Sequence, residues 1–203
     1  EVARQVRERP VMRFDQMLHR VLPYAPNVPV PLAINALRDA SIEWCCGTLC
    51  HQRWFTLTPA ASVIVPFGDG ETLVRITAVK DRVVRPASAL EEAEGPVIVY
   101  DGQTPTGHQF LFNEPPAVDV MVRMALRPSE DAVSLSDSVY SEFAKDVADG
   151  AIAVLLTMPE VDWTNEGTGS YHRARFEDRM NTIAAKVTTA WAGAPVKIKP
   201  SFF

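Results

Sequence analysis

"AVDVMVRMALRPSEDAVSLSDSVYSEFAKDVADGAIAVLLTMP", residues 117–159, changes its hydrophobic period part-way along. In its first part Val118, Val120, Val122, Met124 and Leu126 alternate with Asp119, Met121, Arg123 and Ala125. That is the two-residue repeat of a strand with one buried face. After the turn-forming "SEDAVSLSD" the repeat lengthens, and Tyr140, Phe143, Val147, Ala151, Val154, Leu155 and Met158 fall at three- and four-residue spacing up to Pro159. Here a helix is predicted, capped at Ser136 or Asp137. Strand and helix periods thus occupy separate stretches, which places the chain in the α+β class.

Working upstream, residues 54–128 keep a strand-like pattern. "SVIVPF" and "TLVRITAVKDRVV" are split by "GDG", and "PVIVYD" and "HQFLF" follow. The expectation is an inserted antiparallel β-sandwich or barrel of roughly five to seven strands. Before it, Phe14, Met17, Leu18, Val21 and Leu22 make the stripe of a short helix that Pro23 ends. "PYAPNVPVP" carries four prolines in nine residues and reads as a stiff, extended link. Pro31 then suits the first turn of a helix running to about Arg53, with Ile34, Leu37, Ser41, Cys45 and Leu49 on one face. Arg38, Asp39 and Glu43 are left for solvent or a neighbour. Downstream, Phe176, Met180, Ile183, Val187 and Trp191 mark a last helix that closes at Gly193, with Pro195 beyond.

The domain reading follows: an N-terminal arm at 1–13, a mostly antiparallel bundle of four helices from 14–53 and 136–193, the β-rich insertion at 54–128, and an extended tail at 194–203. Between the last two helices, "GAIAVLLTMPEVDWTNEGTGSYHRARF" forms the corner of a helical hairpin. Gly150 inside a helix costs about 1 kcal/mol relative to alanine, so another backbone is expected to approach it closely. Trp163 is expected to fill the space between the helix ends, making Gly150, Met158, Pro159 and Trp163 the corner-packing set. "GTGS" at 167–170 reads as a loop, because it lacks the strand and the third glycine of a phosphate cradle.

Composition excludes several classes. With 47% apolar and 22% charged residues the 203-residue chain has ordinary globular values. A net charge of −5 argues against a protein that grips nucleic acid by neutralising phosphates. No apolar run is long enough for a membrane span, and "EVARQVRERP" has no signal-peptide core, so a cytoplasmic origin is expected. Cys45, Cys46 and Cys50 crowd one segment and read as reduced thiols, with no metal site even beside His51. His19, His51, His108 and His172 are scattered, and no serine or cysteine is paired to one by pattern. Asp162 and Glu166 near Asn165 read as solvated loop carboxylates rather than an acid pair. No catalytic residue, metal or cofactor is expected.

The order of features adds a resemblance. "FDQMLHRVLPYAPNVPVPLAINALRDASIEWC", then "DGAIAVLLTMPEVDW" and "YHRARFEDRM", resemble the head-to-tail adaptors of tailed bacteriophages, also called connector or tubular tail proteins. The similarity spans nearly the whole chain and is most specific over Pro29–Cys45 and Gly150–Trp163. It implies a virion protein of the neck and tail, assembled in the host bacterial cytoplasm as a homo-oligomeric ring, commonly of twelve copies. Such a ring binds the portal protein above and the tail tube or nozzle protein below, and passes genomic DNA without sequence-specific contact. In the family a C-terminal extension reaches the portal. Here that role falls to Val196, Lys197, Ile198, Lys199, Pro200, Ser201, Phe202 and Phe203, whose basic, phenylalanine-ended sequence suits docking. The arm "ARQVRERP" would order in the same way. The alternative expectation is a small cytoplasmic enzyme or ligand-binding protein with its site where the β region meets the helical hairpin, near Trp163 and Glu166.

Overall fold

The computed structural model describes residues 11–58, 60–68, 70–79, 85–86, 97–104, 107–112 and 115–192. Its elements run β1 (Val11–Arg13), a 3₁₀ helix (Phe14–Arg20), α1 (Val30–Thr48), β2 (Gln52–Leu57), β3 (Ser62–Val65), β4 (Glu71–Val79), β5 (Arg85–Pro86), β6 (Val97–Thr104), β7 (Gly107–Phe112), β8 (Val120–Pro128), β9 (Ser134–Ser136), α2 (Asp137–Leu156) and α3 (Glu166–Ala192). The fold is α+β; among the described residues there are three α-helices, one 3₁₀ helix and sheets that are antiparallel apart from the two-residue β5. The chain divides into a β unit, residues 1–14 and 51–142, and a helical unit, residues 15–50 and 143–203.

In the β unit three sheets form: β1 with β9, β2-β8-β4, and β3-β7-β6-β5. No sheet closes on itself among the described residues, so no barrel is present there. Strand β8 is central to its sheet, pairing Trp54 with Arg123 on one side and Leu73 with Leu126 on the other. Its alternation buries Val120, Val122, Met124 and Leu126 completely. Val118, read as part of that inward set, lies before the strand and is 57% exposed, since pairing starts only at Val120. Two register irregularities, at Leu73/Arg75 and Ile76/Ala78, bend β4 against β8. One apolar cluster draws Leu57, Val65, Ile98, Phe110 and Phe112 together with the inward face of β8, so strands of both larger sheets feed a single core.

In the helical unit the 3₁₀ helix stands where an α-helix was expected, and the following link is turned rather than extended. Tyr24 and Ala25 both bond back to the Val21 carbonyl, at 3.0 and 3.3 Å, with Pro23 and Pro26 sitting in the turns. Helix α1 starts with Pro31 in its first turn and buries Ala33, Ala36, Leu37, Ala40, Ser41, Trp44 and Cys45. Ile34 and Leu49, expected on the buried face, are half-buried, because that face is centred on the alanines and Trp44. The helix ends at Thr48, not near Arg53: Leu49 takes a left-handed conformation (φ 52°) and its N–H returns to the Cys45 carbonyl at 3.0 Å. Strand β2 follows at once, so Cys50 and His51 are not helical. No helix among the described residues is long and apolar enough to cross a membrane.

Candidate functional site

The helical unit is organised around Trp44. Its ring is fully buried, 5.3 Å from Phe143 and 5.6 Å from Phe176 between centroids. Gly150 of α2 sits against the same group. A β-carbon there would lie 2.7 Å from the Phe176 ring and 3.1 Å from the Ala40 β-carbon, so three helices meet at a point that tolerates only hydrogen. Val154, expected on the buried stripe of α2, is 38% exposed.

The α2–α3 corner is tied by short polar bonds. The Asn165 N–H donates to the Leu156 carbonyl at 2.8 Å, and the Thr164 hydroxyl donates to the Met158 carbonyl at 2.5 Å. The Asn165 side chain accepts the Thr168 N–H at 3.0 Å, which makes it the cap of α3. With Asn165 as cap, "GTGS" falls in the first turns of the helix and not in a loop. Gly169 there packs on α2, its missing β-carbon 2.7 Å from a Thr157 methyl. Met158 and Trp163 are half-buried, Pro159 is exposed, and the Trp163 indole N–H has no acceptor among the described residues. Asp162 and Glu166 are both exposed.

Charge is buried beside this corner. Asp149 and His172 are 4% and 2% exposed, and the His172 Nδ1–H donates to Asp149 Oδ1 at 2.7 Å. The other carboxylate oxygen takes Arg175 at 3.2 Å, so the buried anion has two partners. The Tyr24 and Tyr171 rings stand edge-on to His172, at 4.8 and 5.5 Å. On the neighbouring face of α3, Arg173 bonds both oxygens of Glu43, at 2.6 and 3.0 Å, and Glu177 at 2.6 Å. These carboxylates hold its guanidinium pKa above an already high value. Periodicity missed this network because it reads only apolar positions. The available signal was Asp146 and Asp149 three residues apart in the half of α2, 146–156, that is otherwise apolar.

The β unit holds a second polar cluster. The Ser138 hydroxyl donates to His51 Nδ1 at 3.3 Å, and His51 Nε2–H donates to Glu71 Oε1 at 2.9 Å. Glu71 Oε2 accepts the Gly68 N–H at 2.9 Å and pairs with Arg53. Hydroxyl, imidazole and carboxylate stand in the order of a nucleophile relay. Arg53 already neutralises the carboxylate, and the line ties β2, β4 and the first turn of α2 together. Its members are 20 and 87 positions apart, and no sequence spacing joins them. His108 stacks on Phe67 at 4.1 Å, and burial pushes its pKa below the ordinary value.

Cys45 is buried, Cys46 exposed and Cys50 half-buried, and none is in a disulfide. A hydrogen bond with Cys45 draws the Cys50 pKa down against the opposing effect of burial. Among the described residues no group of three His, Cys, Asp or Glu side chains is placed to hold a metal ion. The tail residues Val196–Phe203 and the arm up to residue 10 lie outside the described residues. No protein-family model matches the chain. No curated protein matches it significantly either.

Proposed function

We propose that this chain is a structural, non-enzymatic virion protein: a head-to-tail adaptor that assembles as a ring, of twelve copies, beneath the portal and lines the DNA channel. The observation that carries the reading is the order of sequence features from Phe14 to Met180: proline-led helix, β-rich insertion, glycine-bearing helix, Met-Pro corner and Trp163, as in the adaptor family. In this reading the two larger sheets, sharing one core, form the sandwich of the insertion.

Two features of the structure support it. The helical corner is closed by short hydrogen bonds from Asn165 to Leu156 and from Thr164 to Met158, which suits a subunit that transmits load. The β unit displays Trp54 and Met121 at 46% and 37% exposure, and they belong to cross-strand pairs, Trp54 with Arg123 and Thr56 with Met121, on β2 and β8. Apolar side chains grouped outward on a sheet suit contact with a neighbouring subunit. The tail would dock on the portal through Phe202 and Phe203. Two phenylalanines contribute roughly 3 to 6 kcal/mol before ordering costs, which is weak singly and strong when repeated around a ring.

Mixing the purified chain with portal and imaging by negative stain tests this. The expected result is rings seated on portal, lost when residues 195–203 are deleted. A chain that stays monomeric and ignores portal overturns it.

A further inference from the structure

The helical unit contains a cleft of about 510 Å³ lined by His19, Arg20, Pro23, Tyr24, Lys145, Ala148, Asp149, Ile152 and Arg175. Its lining has a simple origin in the sequence. Lys145, Ala148, Asp149 and Ile152 fall at i, i+3, i+4 and i+7 of α2, one helical face. His19 and Arg20 end the 3₁₀ helix, Pro23 and Tyr24 follow in the turn, and Arg175 comes from α3.

The charge in this cleft runs against that of the protein. The chain carries −5 overall, yet Arg20, Lys145 and Arg175 line this cleft with a single carboxylate, Asp149. That carboxylate is occupied twice, by His172 at 2.7 Å and by Arg175 at 3.2 Å. Three cations less one anion leave two positive charges unbalanced at the cleft. Arg20 brings a guanidinium to the lining, and that planar fork matches the oxygens of a phosphate. The His19 ring is turned by its Nδ1–H bond to the Gln16 carbonyl at 2.7 Å, leaving Nε2 as the second ring nitrogen. Ala148 and Ile152 are buried and give an apolar floor, while Tyr24, 52% exposed, stands at the rim as a stacking surface.

We propose that this cleft binds a phosphate group, held by Arg20 and Lys145 with Arg175 positioned by Asp149, and with Tyr24 beside the organic part of the ligand. A dianion matches the two unbalanced positive charges, and the cleft has the size of a small-molecule site. The phosphate is either that of a small metabolite or that of a nucleic-acid backbone passing the subunit; both present the same chemistry to these side chains.

The test is isothermal titration of the full chain in chloride buffer with inorganic pyrophosphate and, separately, with a short DNA duplex, on wild type, Lys145→Gln and Arg20→Lys. Lys145 is exposed, so its variant folds as wild type and serves as the primary comparison. Pyrophosphate is expected to bind, at least tenfold more weakly in Lys145→Gln, and more weakly in Arg20→Lys, which keeps the charge but loses the fork. If the duplex also binds and weakens in the same variants, the phosphate source is nucleic acid. If only pyrophosphate does so, the source is a small molecule. Absence of binding by both probes, or binding that neither substitution changes, overturns the proposal.

Discussion

The two units use their polar and aromatic side chains in opposite ways. The helical unit hides charge: Asp149 and His172 are 4% and 2% exposed and Trp44 is wholly enclosed. The β unit also exposes apolar groups: Trp54, Ile64 and Val133 are 46%, 47% and 68% exposed, over an apolar cluster with His51 and His108 buried beside it. Buried pairs fix one internal arrangement because any other leaves a charge without its partner. Exposed aromatics leave internal structure alone and set what the surface touches.

The largest expected effect strikes the enclosed aromatics. Trp44→Ala should cost about 3–5 kcal/mol, with hydrogen exchange accelerating first in α1 and α3. Phe110→Ala is the matching lesion in the β-unit core and should accelerate exchange first in β6, β7 and β8. If either substitution loosens both units equally, the contrast between them fails. Next comes the hidden charge. Asp149→Ala should cost about 3 kcal/mol in urea unfolding, and combining it with His172→Phe should recover part of the loss, since the stranded partner is then gone. Additive losses would show that the pair is not coupled.

Gly150→Ala gains up to about 1 kcal/mol of helix propensity but forces a methyl into the Phe176 ring, at a cost of about 1–3 kcal/mol. The expected net is a lower melting temperature; a higher one would mean the helices part easily. A smaller effect lies in the β unit at acid pH. Burial lowers the folded pKa of His108 below the 6.5 of an ordinary imidazole, so the unfolded chain takes up its proton first. Stability from neutral His108 is complete above pH 6.5 and is lost as pH falls through the folded value, and His108→Phe should flatten that part of a melting profile. The smallest effect belongs to the half-exposed ion pairs. Glu43→Gln should cost about 0.5 kcal/mol and less in high salt.

Much of the fold was legible because apolar periodicity records which face is covered. The strand period of Val120–Leu126 and the helical period of Val147–Leu155 both correspond to buried faces. Misreadings arose where geometry departs from residue preference. Leu49 ends α1 in a left-handed conformation that sequence rules reserve for glycine, while Gly47 stays inside the helix. The helix was therefore read through to Arg53. "GTGS" was read as a loop for want of the strand and third glycine of a phosphate cradle, and the Asn165 cap reveals the helix start instead. The polar clusters were illegible for another reason. His51 meets Glu71 of β4 and Ser138 at a helix start, and Lys145 and Arg20 line one cleft from two elements; neither leaves a spacing to find.

The bond from Asn165 to Leu156 fences off a small island of backbone. Glu160, itself left-handed at φ 58°, and Asp162 two residues on are exposed on that island, with half-buried Val161 between them accepting the Thr164 N–H at 3.1 Å. An epitope grafted directly after Glu160 is expected to lengthen the tip while sparing that bond, whereas the same graft one residue beyond Asn165 would unseat the cap. The molecule thus offers a handle for labelling at this tip.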